Sequence, residues 1–195
     1  MRYLLFLLLS LPALCQEVVQ YPALKKTIDS LAFIDQKVQQ DFIDSFKTGQ
    51  SKKFEQIEQE TFVRHTPILK QIFQTYGFPT YDLVGKKSSN YYWLCVQHCD
   101  QDLSFQQTVL AAMEPKVKEK KADPKNFAYL TDRVNINSGK PQTYGTQVTY
   151  KERTAIAKHL ADPSQVNQKR LAIGLDSLET YLRMMTTMHR QMNPN

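Results

Sequence analysis

The sequence predicts a mainly α-helical fold, a single helical domain that carries one β-hairpin. Apolar residues recur at three- and four-residue intervals over most of the chain, which is the period of an amphipathic helix. One stretch, residues 132–150, instead has strand-like alternation followed by a glycine turn, which is the pattern of a hairpin. After the leader segment described next, about 180 residues remain, enough for one domain with its own core.

The first fifteen residues have the pattern of a secretory signal peptide. Arg2 supplies a positive charge, and the apolar run after it is too short to cross a bilayer. Ala13 and Cys15 stand at the two positions where signal peptidase requires small side chains. We therefore expect residues 1–15 to be a signal peptide and residues 16–195 to form one periplasmic or secreted domain. Lipidation at Cys15 is the alternative, although Leu14 stands where a small residue is expected.

Helices are predicted throughout the first part of this domain. An apolar stripe over residues 24–46 predicts the first helix, and a second helical pattern begins at Phe54. Thr66-Pro67 is expected to cap a helix that restarts or kinks there, and Gly77 has the chemistry that ends a helix. The first stripe consists of Leu24, Ile28, Leu31, Ile34, Val38, Phe42 and Phe46.

Two more helices and a helical turn are predicted in the middle of the chain. Ser88 or Ser89 can cap a helix that runs from residue 91 to about residue 99. Another helix is predicted over residues 105–121. Asp123 is then expected to cap a helical turn that leads into the hairpin.

The hairpin prediction depends on a change of period. Val134 and Ile136 alternate with polar residues, and Gly139 suits the left-handed position of a hairpin loop. Beyond the hairpin, the chain is predicted to be helical again from about Asp162 or Ser164. Gly174 breaks this helix, and apolar residues at helical spacing over 178–188 predict a closing helix.

A polar site is predicted where the helix at 91–99 ends. The segment from Trp93 is apolar and gives way to His98 and Asp100, so the helix is expected to cross the core and end at the site. We predict His98 as a general acid/base and Asp132 as the carboxylate that orients it. The alternatives are a structural histidine and, for Asp132-Arg133, a salt bridge that holds the hairpin.

Substrate binding is predicted at polar residues near this pair. Arg133 can clamp an anionic or carbonyl group, and Tyr144 and Gln147 can donate and accept hydrogen bonds. Gly145 between them indicates a close approach by a ligand or by a packed helix. The predicted substrate-binding residues are Gln97, Asp100, Arg133, Tyr144 and Gln147.

No metal, cofactor or disulfide is expected. Cys95 and Cys99 lie one helical turn apart, where their Cβ atoms are about 6 Å apart and too distant for a disulfide. Cys95-x-x-His98-Cys99 resembles a ligand set, but no second Cys/His group completes a tetrahedral site. A nucleophilic thiol is conceivable beside His98, and a small buried apolar role is the competing interpretation for both cysteines.

The charge distribution argues against nucleic acid as a partner. Lys and Arg total 25 against 19 Asp and Glu, and they are dispersed. The densest basic run, residues 116–121, includes a glutamate and no aromatic residue, which is typical of a solvated helix face. No apolar stretch is long enough for a transmembrane segment. The expected partner is an unidentified ligand or cell-envelope component.

Several motifs, in this order, resemble those of a bacterial family of unknown function. They include Gly77-Phe78-Pro79-Thr80, Gln97-His98-x-Asp100, Ala128-Tyr129-Leu130-Thr131-Asp132-Arg133, Gln142-x-Tyr144-Gly145-Thr146-Gln147 and Val166-Asn167-x-x-Arg170. The resemblance covers about residues 70–182. It implies a mostly helical domain whose polar signature includes His98 and Asp132, and it implies no activity. Cys99 departs from the pattern, because a small residue is expected there.

Three hypotheses for function follow from these residues. The first is an exported enzyme, a hydrolase or lyase acting on cell-envelope material. The second is a non-catalytic module that binds a ligand or protein through the same pocket. The third is a structural polar network that fixes the hairpin on the helices. Residue types alone do not separate the three.

We predict that the exported protein begins at Gln16. The intact mass of protein recovered from the periplasm or the medium measures this directly. A mass that retains residues 1–15, or that carries a diacylglyceryl group on Cys15, would contradict the prediction.

Overall fold

A computed structural model describes residues 19–192, apart from the side chain of Lys47, and the predicted signal peptide lies outside this range. The prediction of a mainly α domain with one hairpin is confirmed. The elements are α1 (Pro22–Ser45), a 3-10 turn (Phe46–Thr48), α2 (Ser51–Tyr76), α3 (Tyr81–Gln97), α4 (Leu103–Lys118), α5 (Pro124–Asn137), β1 (Val148–Lys151), β2 (Thr154–Ala157), α6 (Val166–Ala172) and α7 (Leu178–Met192).

The buried face of α1 differs from the predicted stripe in its second half. Leu24, Ile28 and Leu31 are buried as predicted. Ile34 and Phe46, in contrast, are 45% and 50% exposed. The buried face continues instead through Asp35, four residues after Leu31 and therefore on the same side of the helix. An acidic residue thus occupies a core position.

Helix α2 runs through Pro67 without a restart, so the predicted N-cap at Thr66 is wrong. The Thr66 hydroxyl donates to the Phe62 carbonyl at 2.9 Å, which is a bond within a helix rather than a cap. Pro67 has no N–H to donate to the carbonyl four residues back. That residue, Val63, is 54% exposed, so water can satisfy the carbonyl.

Helix α3 begins at Tyr81, well before the predicted caps at Ser88 and Ser89. Gly85 has φ 81° and ψ 157°, so the helix consists of two segments that meet at this residue. Ser88 and Ser89 lie inside the second segment and are buried, and Ser88 donates to Asp29 of α1. Gly85 has the conformational freedom that this break requires.

The predicted hairpin at 132–150 is wrong in position, because α5 continues to Asn137. Leu130 and Val134 are buried in the main core, whereas Asp132 is buried against the loop that follows the helix. Residues two apart in a helix point in nearly opposite directions, so a helix covered on two sides gives the alternation of a strand. Gly139 has φ 72°, but it ends α5 rather than turning a hairpin.

The hairpin is formed by β1 and β2, which pair from Val148 opposite Ala157 to Lys151 opposite Thr154. The two residues between the strands, Glu152 and Arg153, have φ values of 49° and 61°. Positive φ at both positions is typical of a type I′ turn, for which Asn-Gly is the usual sequence. Because this turn has Glu-Arg instead of Asn-Gly, the sequence does not indicate it.

The remaining predicted boundaries agree well with the structure. Asp123 accepts a hydrogen bond from the Lys125 N–H and caps α5. The Asp162 carboxylate accepts from the N–H of Ser164 just before α6. Gly174, with φ 77°, follows that helix and precedes α7.

The helices enclose one large core and one smaller apolar cluster. Helix α1 packs on α2 and α3, α4 packs on α5, and α7 packs on β2. The smaller cluster, which includes Val166, Leu178 and Tyr181, joins the hairpin and the last two helices. Within residues 19–192, no helix is long and apolar enough to cross a membrane.

Candidate functional site

His98 is held by α1 at the end of α3. Its Nδ1 atom lies 2.9 Å and 3.1 Å from the two carboxylate oxygens of Asp35, and its Nε2 atom lies 3.0 Å from the Gln39 amide. The ring stacks on Phe62 of α2, with the centroids 4.7 Å apart. Since a carboxylate can only accept, a neutral His98 carries its proton on Nδ1, and Nε2 accepts from Gln39.

The carboxylate that holds His98 is therefore Asp35, not the predicted Asp132. Asp35 is fully buried and lies on the core face of α1. Its distance in sequence from His98 hid the pairing, because nothing local to either residue indicates the other. The signal was present in α1, where Asp35 continues the spacing of Ile28 and Leu31.

Two further reactive side chains lie beside Asp35 in the core. A carboxylate oxygen of Asp35, a ring nitrogen of His65 and the Cys95 sulfur all lie within 4.8 Å of one another. The three residues come from α1, α2 and α3 respectively, and all three are buried. We call this set the three-helix cluster. Sequence reasoning missed it, since His65 looked isolated and Cys95 was compared only with its neighbours in α3.

Burial controls the protonation of this region. It lowers the pKa of His65, which favours the neutral imidazole. Burial, together with the nearby Asp35 charge, raises the pKa of the Cys95 thiol strongly, so the metal-free side chain is a thiol. Glu58 on α2 is also a buried acid. Burial raises its pKa, although the nearby His98 acts to lower it.

An open groove lies along α1 and α3; His98, Asp35 and Gln39 do not line it, but Gln36, the neighbour of Asp35 in the chain, does. Its volume is about 620 Å³, and its walls include Phe33, Gln36, Lys37, Asp41, Lys87 and Tyr91. The Gln36 amide donates to Asp35 Oδ1 at 3.0 Å and to Gln39 Oε1 at 3.2 Å. Gln36 therefore joins the wall of the groove to Asp35 directly and to His98 only through Gln39, which lies outside the groove lining.

Asp132 anchors the loop that follows α5. Its carboxylate accepts from the backbone N–H groups of Thr143, Tyr144 and Thr146 at 2.7, 3.0 and 2.9 Å, and from the Thr146 hydroxyl at 3.0 Å. Asp132 is fully buried. A carboxylate with four donors is well satisfied, so this contact is structural.

Arg170 holds the same loop from its other side. It is 1% exposed, and its guanidinium donates to the Tyr144 carbonyl at 2.7 Å and to the Asp176 carbonyl at 2.6 Å. The guanidinium also lies 5.0 Å from the Tyr181 ring centroid, and the Tyr181 hydroxyl donates to the Thr146 carbonyl. Asp132 therefore binds the N–H groups of the loop while Arg170 and Tyr181 bind its carbonyls.

Gly145 allows this loop to pack closely. Its φ is 70°, and a Cβ atom there would lie 2.8 Å from Leu178 Cδ1 and 3.2 Å from Leu160 Cδ2. The close approach expected at this glycine is made by apolar side chains of the smaller cluster.

Asp100 and Arg133 form an ion pair that joins the end of α3 to α5. The Arg133 Nε atom lies 2.8 Å from Asp100 Oδ1, and a second guanidinium nitrogen bonds the other oxygen. Asn137 and Gln106 also donate to Asp100. Burial acts to raise the pKa of Asp100, but the hydrogen bond and charge of Arg133 outweigh it and lower the pKa. The salt-bridge alternative placed Asp132-Arg133 at the hairpin, whereas Arg133 pairs with Asp100 and Asp132 pairs with the loop at 143–146.

The other predicted substrate-binding residues contribute mainly backbone contacts. The Gln97 carbonyl accepts from Gln106, and the Gln147 N–H and carbonyl both bond the Gln142 side chain. Burial raises the pKa of the half-buried Tyr144. Among residues 19–192, neither these three nor Asp100 nor Arg133 lines the groove. Their binding roles stay predictions, whereas the contact with His98 that was predicted for Asp132 is made by Asp35.

The two cysteines are free thiols with different surroundings. Both are buried, and Cys99 Sγ lies 3.3 Å from the Thr66 hydroxyl oxygen. Burial raises the pKa of Cys99 to about 11. A nucleophile must be an accessible thiolate, so neither thiol suits that chemistry.

The fold and these networks define a helical domain with two separate buried polar centres. The chain belongs to the family of unknown function DUF6624, which matches residues 22–190. The resemblance noted from the motifs is thereby confirmed, and the match begins well before residue 70. No curated protein and no solved structure matches the chain.

We predict that Asp132→Asn lowers the free energy of unfolding by about 1–3 kcal/mol for each backbone N–H left without an acceptor, because an amide nitrogen cannot accept hydrogen bonds. Urea denaturation measures the change. Asp41→Asn is the control, since that carboxylate is 40% exposed and its ion pair, to Lys37, is worth less than about 1 kcal/mol. Equal losses in the two variants would show that Asp132 is not an anchor.

Proposed function

We propose that the protein is exported and acts on cell-envelope material as a hydrolase or lyase, with His98 as the general acid/base. The observation that carries the proposal is the hydrogen bond from His98 Nδ1 to Asp35. It fixes the ring and leaves Nε2 as the basic nitrogen, as in other histidine–carboxylate pairs. In hydrolysis, Nε2 would take a proton from water and return it to the leaving group.

The groove along α1 and α3 is the proposed place for the substrate. Its volume of about 620 Å³ is within the range of ligand pockets. Two lysines, two aspartates and the rings of Phe33 and Tyr91 suit an amide- and carboxylate-bearing molecule such as an envelope glycopeptide. Because neither Gln39 nor His98 lines the groove, catalysis requires that Gln39 leave Nε2 and that the substrate extend beyond the groove to reach it.

The same contact supports a second candidate, a non-catalytic binding module. The Gln39 amide closes Nε2, and the His98 side chain is only 9% exposed, whereas the groove is open. A ligand bound in the groove without moving Gln39 would be held but not attacked. The two candidates differ in whether bound material is cleaved.

The test uses the mature protein with isolated peptidoglycan and, separately, with membrane lipid. Mass spectrometry follows the release of fragments by the wild type, His98→Gln, Asp35→Asn and the control His159→Gln, whose ring is exposed. We expect His98→Gln to slow release by about 100-fold or more, as loss of a general acid/base does. His159→Gln should keep the full rate.

Three outcomes separate the candidates. Release that is as fast in His98→Gln as in His159→Gln would exclude His98 as the acid/base. Sedimentation of the wild type with peptidoglycan but without release would favour the binding module. If the wild type neither releases fragments nor binds, the result would favour the third hypothesis, in which the polar residues form a structural network.

A further inference from the structure

The three-helix cluster contains a donor set that the His98 chemistry does not require. Asp35, His65 and Cys95 offer an oxygen, a nitrogen and a sulfur atom, each from a different helix. These three atoms lie within 4.8 Å of one another in the core. Oxygen, nitrogen and sulfur donors together are the set from which proteins build zinc sites.

His65 supplies an independent sign that a partner is missing from this place. Its Nδ1 atom is buried and has no hydrogen-bond partner among the described residues, and the side chain is only 6% exposed. A buried polar atom without a partner costs about 1–3 kcal/mol, so such atoms are uncommon in folded proteins. A cation bound by Nδ1 would supply the partner that this atom lacks.

The spacing suits a small cation after a modest contraction. Ligand atoms about 2.0–2.3 Å from a tetrahedral zinc ion are roughly 3.3–3.8 Å apart. The three donor atoms here are up to 4.8 Å apart, which is about 1 Å more than the separation of ligand atoms around zinc. The proposal therefore requires the three side chains, each on its own helix, to rotate until the donor atoms are about 1 Å closer.

We propose that Asp35, His65 and Cys95 bind a zinc ion, with water as the fourth ligand. Thiolate and imidazole donors favour zinc over magnesium or calcium, which take oxygen ligands. Asp35 can bind the ion and keep its bond to His98, because a carboxylate has about four acceptor positions. The hydrogen bond from His98 then orients Asp35 as a ligand, as residues outside the ligand set commonly do in metal sites.

Binding requires a proton to leave Cys95. The bond formed is between zinc and the sulfur, and the S–H proton passes to solvent. The proposal therefore predicts proton release on binding and weaker binding as the pH falls. It departs from the expectation of a metal-free protein, because His65, isolated in the sequence, lies beside Asp35 and Cys95 in the fold. It does not depend on the proposed activity, because it concerns binding alone.

The experiment is a cobalt titration of the mature protein after removal of metal with a chelator. Cobalt replaces zinc in such sites, and a cysteine thiolate bound to it absorbs in the near ultraviolet. We expect one Co²⁺ per chain with this absorption, and displacement of the cobalt by zinc. Cys95→Ala should lose the absorption and bind more than about 100-fold more weakly, since even outer partners are worth 10–100-fold.

Cys99→Ala is the matched control, because Cys99 is an equally buried thiol one turn away that contacts Thr66 instead. It should keep the full absorption. Absence of binding by the wild type, or an unchanged absorption in Cys95→Ala, would overturn the proposal. X-ray absorption at the zinc edge of wild-type protein gives a result that needs no variant. One sulfur ligand is expected, and a site with nitrogen and oxygen only would overturn the proposal.

Discussion

The buried carboxylate of Asp35 constrains how the first three helices pack. A charged group in a core is costly unless hydrogen bonds satisfy it, and here His98 and Gln36 do so. The His98 ring in turn stacks on Phe62 of α2. The position of α1 against the end of α3 is therefore set by a polar contact, while apolar packing on either side, at Ile28 and Val96, supplies the stability.

A second buried polar centre organises the C-terminal part. Asp132 and Arg170 carry opposite charges and bind opposite kinds of backbone group in the loop at 143–146. Removing either would leave buried backbone groups without partners. In this centre, Asp132 and Arg170 hold the loop, and the Asp100–Arg133 pair separately joins the end of α3 to α5. The proposed chemistry uses neither of these contacts and depends on His98 and Asp35.

The sequence predicted the helices well because their signals are local. The caps at Asp123 and Asp162 and the stops at Gly77 and Gly174 involve neighbouring residues, so they can be recognised without the fold. The hairpin was misplaced for a tertiary reason. Helix α5 is covered on two sides, which imitates a strand, and the true turn uses Glu152, a residue that rarely adopts positive φ.

Only those residues of the candidate site that have a local sequence signal were predicted. His98 stands at a helix end, so its chemistry was visible. Asp35 and His65 lie in the middle of long helices, and their meeting depends on how α1, α2 and α3 cross. Side-chain spacing within one helix cannot give that crossing. The signal that was available is a polar residue on an apolar face, at Asp35 after Leu31 and at His65 before Leu69.

A double-mutant cycle between Asp35 and His98 tests the central claim most directly. The free energy of unfolding of the metal-free protein is measured for the wild type, Asp35→Asn, His98→Gln and the double variant. The account predicts an interaction energy of about 1.5–3 kcal/mol, as for a hydrogen bond to a charged group. Changes that add to within about 0.5 kcal/mol would show that the two residues are independent and would contradict the account.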